Sequence, residues 1–501
     1  MSRNVNGTVL GAQTKATLIV RQIGQKTPYP GETNTLFVTL ASNFQFRANG
    51  ADLAVLTLQG LSGARVMPGT KRMELAGSHP FSSGCWNCEC ESASSCADPR
   101  TLASGERLTF HLQADMAAGQ EFIFAFNIIN PLQQQTLDAS RLEIGLGWKL
   151  ASDSATLPYV TGNFMQMQQD LTTILQDVYN ARQGEAAPLT IRSAEFSTKL
   201  ISQSSPYPCD SNWLCVTLVS SVPLTADKQS LIRLRYFEGA SIPAGSGQIS
   251  LYNTSSETGG SVPSLKSAVQ NGQASKGFWT EERGGRAELK VYAACRIEAG
   301  EEVKLCFKVS NPVAPSAPTT TRAPVPPVRV YSSDSNTEQD MDVRGATNLG
   351  LPYETTNDLW PMFIRTPEFK SLQAFQSSPF PCDDNLITIS FRSNVPFLPS
   401  CQTSLTVTGL LGATTNSSHA LNLHNGTSSS FAQQAVWNKS SGVLEVNVNQ
   451  STVAGAALVI MVTLKNQAQM QVDAPNIMVS ASGVRIPASQ AGHDNAAPSR
   501  V

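Results

Sequence analysis

Ten cysteines carry most of the chemistry open to this 501-residue chain. Four sit together as C-x2-C-x-C-x5-C, at Cys85, Cys88, Cys90 and Cys96. Four thiolates can hold a tetrahedral zinc ion, but zinc ribbons set two cysteine pairs far apart on separate hairpins. Here the whole group fits one 12-residue loop, so disulfide stapling is the favoured reading. Its pairing stays open, because four cysteines allow three connectivities. Cys382 and Cys401 are the remaining pair in the last third of the chain and are expected to bond to each other. Cys215 and Cys306 lie on the outward side of alternating strands, which suits a cross-strand bridge and leaves Cys209 for Cys295. Each bridge is worth about 2–4 kcal/mol through its restriction of the unfolded chain.

Other reactive groups form no catalytic pattern. The five histidines (His79, His111, His419, His424, His493) are scattered, with no HExxH, GxSxG or glycine-rich phosphate loop. Asp334, Asn336, Glu338, Asp340 and Asp342 alternate, but lack the central glycine and terminal glutamate of a calcium loop. They read as a solvated polar stretch, with calcium between the domains as the open alternative. No catalytic residue, cofactor or metal site is therefore assigned, and the chain is expected not to be an enzyme.

The elements that must position these cysteines come in three copies. Pro28-Tyr29-Pro30-Gly31-Glu32-Thr33-Asn34 returns as Pro206-Tyr207-Pro208-Cys209-Asp210-Ser211-Asn212 and as Pro379-Phe380-Pro381-Cys382-Asp383-Asp384-Asn385. The copies lie 178 and 173 residues apart, too long for a solenoid repeat and about one domain each. Two prolines fix the backbone and remove ladder donors, so the chain turns out of a sheet there. Each corner leads into an alternating strand with Leu36, Val38 and Leu40 on one face, matched by Leu214, Val216, Leu218 and by Ile387, Ile389, Phe391.

Further shared pieces follow in order. Gly60-Leu61-Ser62-Gly63-Ala64 matches Gly409-Leu410-Leu411-Gly412-Ala413, while the middle copy keeps only the second glycine, Gly239. Trp86, Trp279 and Trp437 hold one place, and Gly119, Gly300 and Gly455 turn a hairpin whose return strand ends at Asn130, Asn311 and Asn466. Short alternating strands between Gly, Pro, Asn and Ser turns predict an all-β chain of three tandem immunoglobulin-like antiparallel β-sandwiches, with about seven strands each.

The boundaries expected from this alignment are 1–161 for the first sandwich, with a cysteine-rich insertion at 85–96, and 189–338 for the second, with a proline-rich insertion at 312–327. The third spans 362–490, followed by a tail at 491–501. Connectors fall at 162–188 and 339–361, and Ala187-Pro188-Leu189-Thr190-Ile191-Arg192 parallels Trp360-Pro361-Met362-Phe363-Ile364-Arg365. In the first connector Met167, Leu171, Ile174, Leu175 and Val178 fall at helical spacing and predict a short amphipathic helix.

Composition narrows the setting. With 15% charged residues and a net charge of -2, the chain offers no footprint for nucleic acid. The longest apolar run, Ala454 to Val462, is far short of the ~20 residues a membrane helix needs. The first residues contain no apolar signal core, which taken alone points to the cytosol. Ten cysteines and the sequons at Asn6, Asn253, Asn416, Asn425, Asn438 and Asn449 point instead to a secretory compartment, with the numbering starting inside a longer or processed chain.

The corner motif, the GLxGA turn, the tryptophan and the hairpin closing in Asn-Pro together resemble the tandem repeat of large extracellular surface proteins of algae and other protists, including mastigoneme-type proteins that decorate flagella. The resemblance covers most of the chain. It implies glycosylated sandwiches strung into a filament or coat at the cell or flagellar surface, with copies of itself and other surface glycoproteins as partners. It also implies O-glycosylation of a proline-rich segment, here Thr319, Thr320 and Thr321 with Pro324, Pro326 and Pro327. The expected function is thus a non-enzymatic structural glycoprotein. A cell-surface adhesin or glycan-binding module is the second reading.

Overall fold

Alternation along the strands is realised as burial. Leu36, Val38 and Leu40 are wholly buried, and Leu214, Val216, Leu218, Ile389 and Phe391 are at most 1% exposed. The structure is a computed structural model. It describes residues 17–493 except 44, 46–47, 49–51, 68–71, 82–83, 87–89, 93–94, 97–106, 136–141, 151–163, 171–174, 176, 183, 244, 283–285, 317–327, 344–347 and 472–474.

The chain is all-β, with two mainly antiparallel sheets facing each other in each repeat. In the first repeat one sheet orders Gln168–Gln169, Leu18–Gln25, Thr33–Ser42, Phe122–Ile129 and Ala76–Ser78. The other orders Met165–Gln166, Glu143–Leu150, Asp52–Gln59, Arg107–His111, Gly84–Trp86 and Arg72–Met73. The third repeat follows the same plan, with Leu458–Lys465, Asp384–Ser393, Phe369–Gln376 and Gly492–His493 facing a sheet centred on Ser404–Thr408. In both, the last strand runs parallel to the first, and a bulge interrupts the first strand near its start. First, second and return strands share one sheet, and the third strand shares the other with the penultimate one, as in immunoglobulin-like sandwiches.

The closing hairpin is anchored alike in every repeat. Gly119, Gly300 and Gly455 have φ of 73°, 84° and 77°, a region that favours glycine. Their N–H groups donate to Ser42 O, Ser220 O and Ser393 O at 2.7, 2.9 and 2.7 Å. Trp279 and Trp437 are buried to 1% or less, so these tryptophans are core residues, and Trp86 packs against the first core.

The chain divides into two compact units that cut across the three repeats. One comprises Met1–Ser197 with Val219–Lys228 and Arg296–Glu301; the other comprises Thr198–Leu218, Gln229–Cys295 and Glu302–Val501.

Several expectations are corrected. The predicted amphipathic helix does not form over its first part: Met165–Gln166 and Gln168–Gln169 are strands that complete the first sandwich, with Met167 buried between them. Period 2 and period 3.6 coincide over so short a stretch, and an open sheet edge decides between them. Leu171 and Ile174 lie outside the described residues, and Val178 is buried in a turn. Likewise Gln339, Asp340 and Asp342–Val343, assigned above to the second connector, are strands of the second sandwich. The chain thus stays in each sandwich longer than the alignment suggests.

Candidate functional site

Each Pro-aromatic-Pro corner is held by three side-chain amides. At the first, Asn34 Oδ1 accepts from the N–H groups of Lys26 and Thr27, both at 3.1 Å. Its Nδ2 donates to Gln25 Oε1 at 2.9 Å and to Asn130 Oδ1 at 2.8 Å. Asn130 Nδ2 in turn donates to Thr27 O and Tyr29 O at 3.0 and 2.9 Å. Prolines remove backbone donors at the corner, and these amides supply replacements. Asn212 with Gln203 and Asn311, and Asn385 with Gln376 and Asn466, repeat the arrangement.

In the first two repeats the corner grips the connector that follows. Gln25 Nε2 donates to Glu185 O and Thr190 O at 2.6 and 2.9 Å, and its Oε1 accepts from Leu189 N at 2.8 Å. Gln203 does the same with Asp358 O, Phe363 O and Met362 N, at 2.9, 3.2 and 2.9 Å. Leu189 and Met362 have φ of 58° and 66°, a left-handed bend that turns their N–H groups to the glutamine.

A buried ion pair closes each joint. Arg192 Nε donates to Glu185 Oε1 at 2.6 Å, and a second short contact joins its Nη2 to Glu185 Oε2. Arg365 makes the same fork to Asp358, at 2.9 and 2.6 Å. Both carboxylates also accept from a backbone N–H three residues upstream, Arg182 at 2.8 Å and Thr355 at 2.6 Å. The remaining guanidinium donors reach carbonyls on either side: Tyr179, Asn180 and Ser221 for Arg192, and Pro352 and Asn394 for Arg365. Arginine's planar fork fits this role, and pairing offsets the cost of burying both charges.

The corner aromatic packs under the guanidinium. Arg192 lies 5.7 Å from the Tyr29 ring centre and Arg365 lies 5.2 Å from Tyr207. Tyr29 joins a cluster with Val178, Ala194 and Val222, and Tyr207 enters the core of the third sandwich. Burial pushes both phenols above their ordinary range. Tyr29 Oη accepts from Tyr179 N at 2.9 Å. Pro352 takes the place of Tyr179 and has no N–H, so the buried Tyr207 hydroxyl finds no hydrogen-bond partner among the described residues.

A second tie differs between the joints. In the first, Lys228 Nζ donates to Glu32 Oε1 and Pro30 O at 2.7 and 2.8 Å, and Arg296 reaches both Glu32 oxygens at 3.1 Å. Burial raises the Glu32 carboxyl, but its hydrogen bonds and charge pairing with Lys228 and Arg296 outweigh that and hold it below the usual carboxylate range. In the second, Cys401 takes the place of Lys228, each being followed by a left-handed glutamine with φ of 52° and 56°. Cys401 is bonded to Cys209.

The expected Cys382–Cys401 and Cys209–Cys295 bridges are therefore corrected. Cys401 lies beside the preceding corner, so its partner comes from the repeat before, and Cys295 and Cys382 are free and exposed. Counting cysteines within one repeat missed a bond between repeats. The signal was present in the alignment, which puts Cys401 opposite Lys228. Cys215 and Cys306 are joined across neighbouring strands. Strands at Cys90–Ser92 and Ser95–Cys96 set Cys90 opposite Cys96, while the side chains of Cys85, Cys88, Cys90 and Cys96 lie outside the described set.

Other predicted sites are spread over the surface. Asn253, Asn416, Asn425, Asn438 and Asn449 are all exposed, whereas Asn6 and the segment with Thr319, Thr320, Thr321, Pro324, Pro326 and Pro327 lie outside the described residues. Glu338, Asp340 and Asp342 pair with Arg235, Arg329 and Lys199 along a strand edge. Among the described residues no three potential ligands gather for a metal ion, and no helix is long and apolar enough to cross a membrane. Sequence reasoning missed one cleft of about 250 Å³, lined by Trp213, Tyr252, Glu257 and Lys308, in which the two rings meet edge to face at 5.5 Å and Lys308 pairs with Glu257 at 2.8 Å.

No family model matches the chain, and no curated protein matches it in sequence. Among solved structures it is similar to the C-terminal domain of the Streptococcus agalactiae AgI/II polypeptide BspA, at 7% identity and TM-score 0.22, covering 64% of this chain and 98% of that one. It is also similar to the BSP domain of a biofilm associated protein, at 8% identity and TM-score 0.17, covering 96% and 97%. A putative membrane anchored protein from Corynebacterium diphtheriae gives 9% identity and TM-score 0.15, covering 97% and 93%. Likenesses this distant carry no argument, so the functional reading rests on the joints themselves.

Proposed function

We propose that this chain is a non-enzymatic structural glycoprotein subunit of an extracellular filament, flagellar appendage or cell-surface coat, of the mastigoneme-type repeat. The observation that carries the reading is the joint, built twice from the same corner, connector and buried arginine–carboxylate fork. The corner glutamine and the arginine of each joint spend their hydrogen bonds on the connector and the segments flanking it. A fork of this kind fixes geometry more than it adds stability, which suits a scaffold. Disulfides and five exposed sequons support an oxidising, glycosylating route to the cell surface. Copies of the chain and other surface glycoproteins are its partners on this reading. Electron microscopy of native material tests it: ordered polymers are expected, and a glycan-free, dispersed monomer refutes it.

One observation favours a second reading as an adhesin or glycan-binding module. The Trp213–Tyr252 cleft combines two aromatic rings with a Lys–Glu pair, the apolar lining with a few placed polar groups that small-ligand sites use, and Asn253 of a sequon follows Tyr252 in the chain. Glycan-array binding that a Trp213→Ala variant loses would establish that reading.

A further inference from the structure

The third corner is built like the first two but faces outward. Phe380 stands where Tyr29 and Tyr207 stand, yet it is 66% exposed against their 6% and 7%. Asn385 is buried, and its Nδ2 donates to Gln376 Oε1 at 3.1 Å and to Asn466 Oδ1 at 3.0 Å. Asn466 Nδ2 donates to Ser378 O and Phe380 O at 3.0 and 2.8 Å. Gln376, however, is exposed, whereas Gln25 and Gln203 are buried under their connectors. Cys382 occupies the position of Cys209, with the same left-handed backbone at φ of 62° against 55°, and is free and exposed. Its N–H donates to Gln467 O at 3.2 Å, as that of Cys209 donates to Pro312 O at 3.3 Å.

We propose that this corner is a docking end for one further module of the same repeat: a connector bearing an arginine–carboxylate fork, leading into a sandwich with a cysteine at the position of Cys401. The two occupied corners define the occupant. The glutamine selects the bent connector, the ring seats its guanidinium, and the cysteine selects a thiol in the sandwich beyond. A bond between Cys382 and that thiol releases two electrons and two protons to a disulfide oxidant such as oxidised glutathione, which leaves as two thiols. The second sandwich carries Lys228 at the thiol position, so a module of the third repeat's kind fits and one of the second's does not.

The inference rests on the joint as read in the proposed function and not on its cellular setting. Dispersed native material would remove the scaffold role and leave this end standing, while a negative result below removes the end and leaves both internal joints.

The test uses the full chain as receptor and residues 344–501 with Cys382→Ser as probe. Both sheets and the core of the third sandwich lie within that segment, apart from the Tyr207 ring, and Cys401 is unpaired in it. Under oxidised glutathione, docking raises the local thiol concentration. Peptide mapping should then show receptor Cys382 joined to probe Cys401 about tenfold more than the equally free Cys295. Arg365→Met in the probe should abolish the preference. A peptide of residues 349–368, which needs no fold, should slow alkylation of Cys382 and not of Cys295. Equal use of the two cysteines by the probe, together with no protection by the peptide, overturns the proposal.

Discussion

Replacing Arg192 by Met removes a guanidinium that is 3% exposed and leaves the Glu185 carboxylate, 8% exposed, without its counter-charge. It also strips donors from the carbonyls of Tyr179, Asn180 and Ser221. Removing one partner of a buried pair costs about 3–5 kcal/mol. At about 1.4 kcal/mol per decade, local opening of the joint should become roughly 150- to 4,000-fold more frequent. Amide exchange on the full chain reads this at Ile191 N, bonded to Gln135 O, and at Arg192 N, bonded to Pro28 O. The double variant Arg192→Met, Glu185→Leu leaves no orphaned charge and should recover most of the loss, since well-packed apolar replacements of buried pairs are often neutral. A single-variant effect below about tenfold, or a double variant as damaged as the two singles combined, would refute the fork as the element that closes the joint.

Other outcomes follow from the same contacts. Tyr29→Phe orphans the Tyr179 N–H and should cost about 1–3 kcal/mol in denaturant unfolding, while Tyr207→Phe removes an unpartnered hydroxyl and should be neutral or stabilising. Because the Glu32 carboxyl is held below its ordinary value of 4.5, its contribution is full above that pH and is lost as pH falls through the lower folded value. An NMR titration of Glu32 with a midpoint at or above 4.5 would contradict this. Gly409→Ala should destabilise by more than about 1 kcal/mol, because φ is +90° and the added carbon would lie 2.1 Å from Asn476 O. Non-reducing peptide maps should show Cys209 joined to Cys401 with Cys382 alkylated, and recovery of a Cys382–Cys401 peptide would overturn that pairing.

The middle repeat shows how far a local motif reaches. Where the other two copies have Gly60 and Gly409 at φ of 90°, it has Tyr236 at φ of 72°. Arg235, Arg286 and Arg329 lie 5.2–5.5 Å from that ring. Cation–π attraction offsets the strain of a left-handed tyrosine. The turn survives without its glycine, so the repeat was legible from corner and strands even where one motif failed.

Three sandwiches, their buried faces and the Pro-aromatic-Pro corners were settled by the sequence, because alternation and proline placement act over a few residues and act the same way in every copy. Tertiary structure alone decided what the corners hold. Gln25 and Leu189, or Cys209 and Cys401, meet only after separate elements have packed, and a pairing made between modules leaves no periodic trace within one. The predicted helix at Met167 was lost for the same reason: a free sheet edge, invisible to local periodicity, offered those residues a ladder to join.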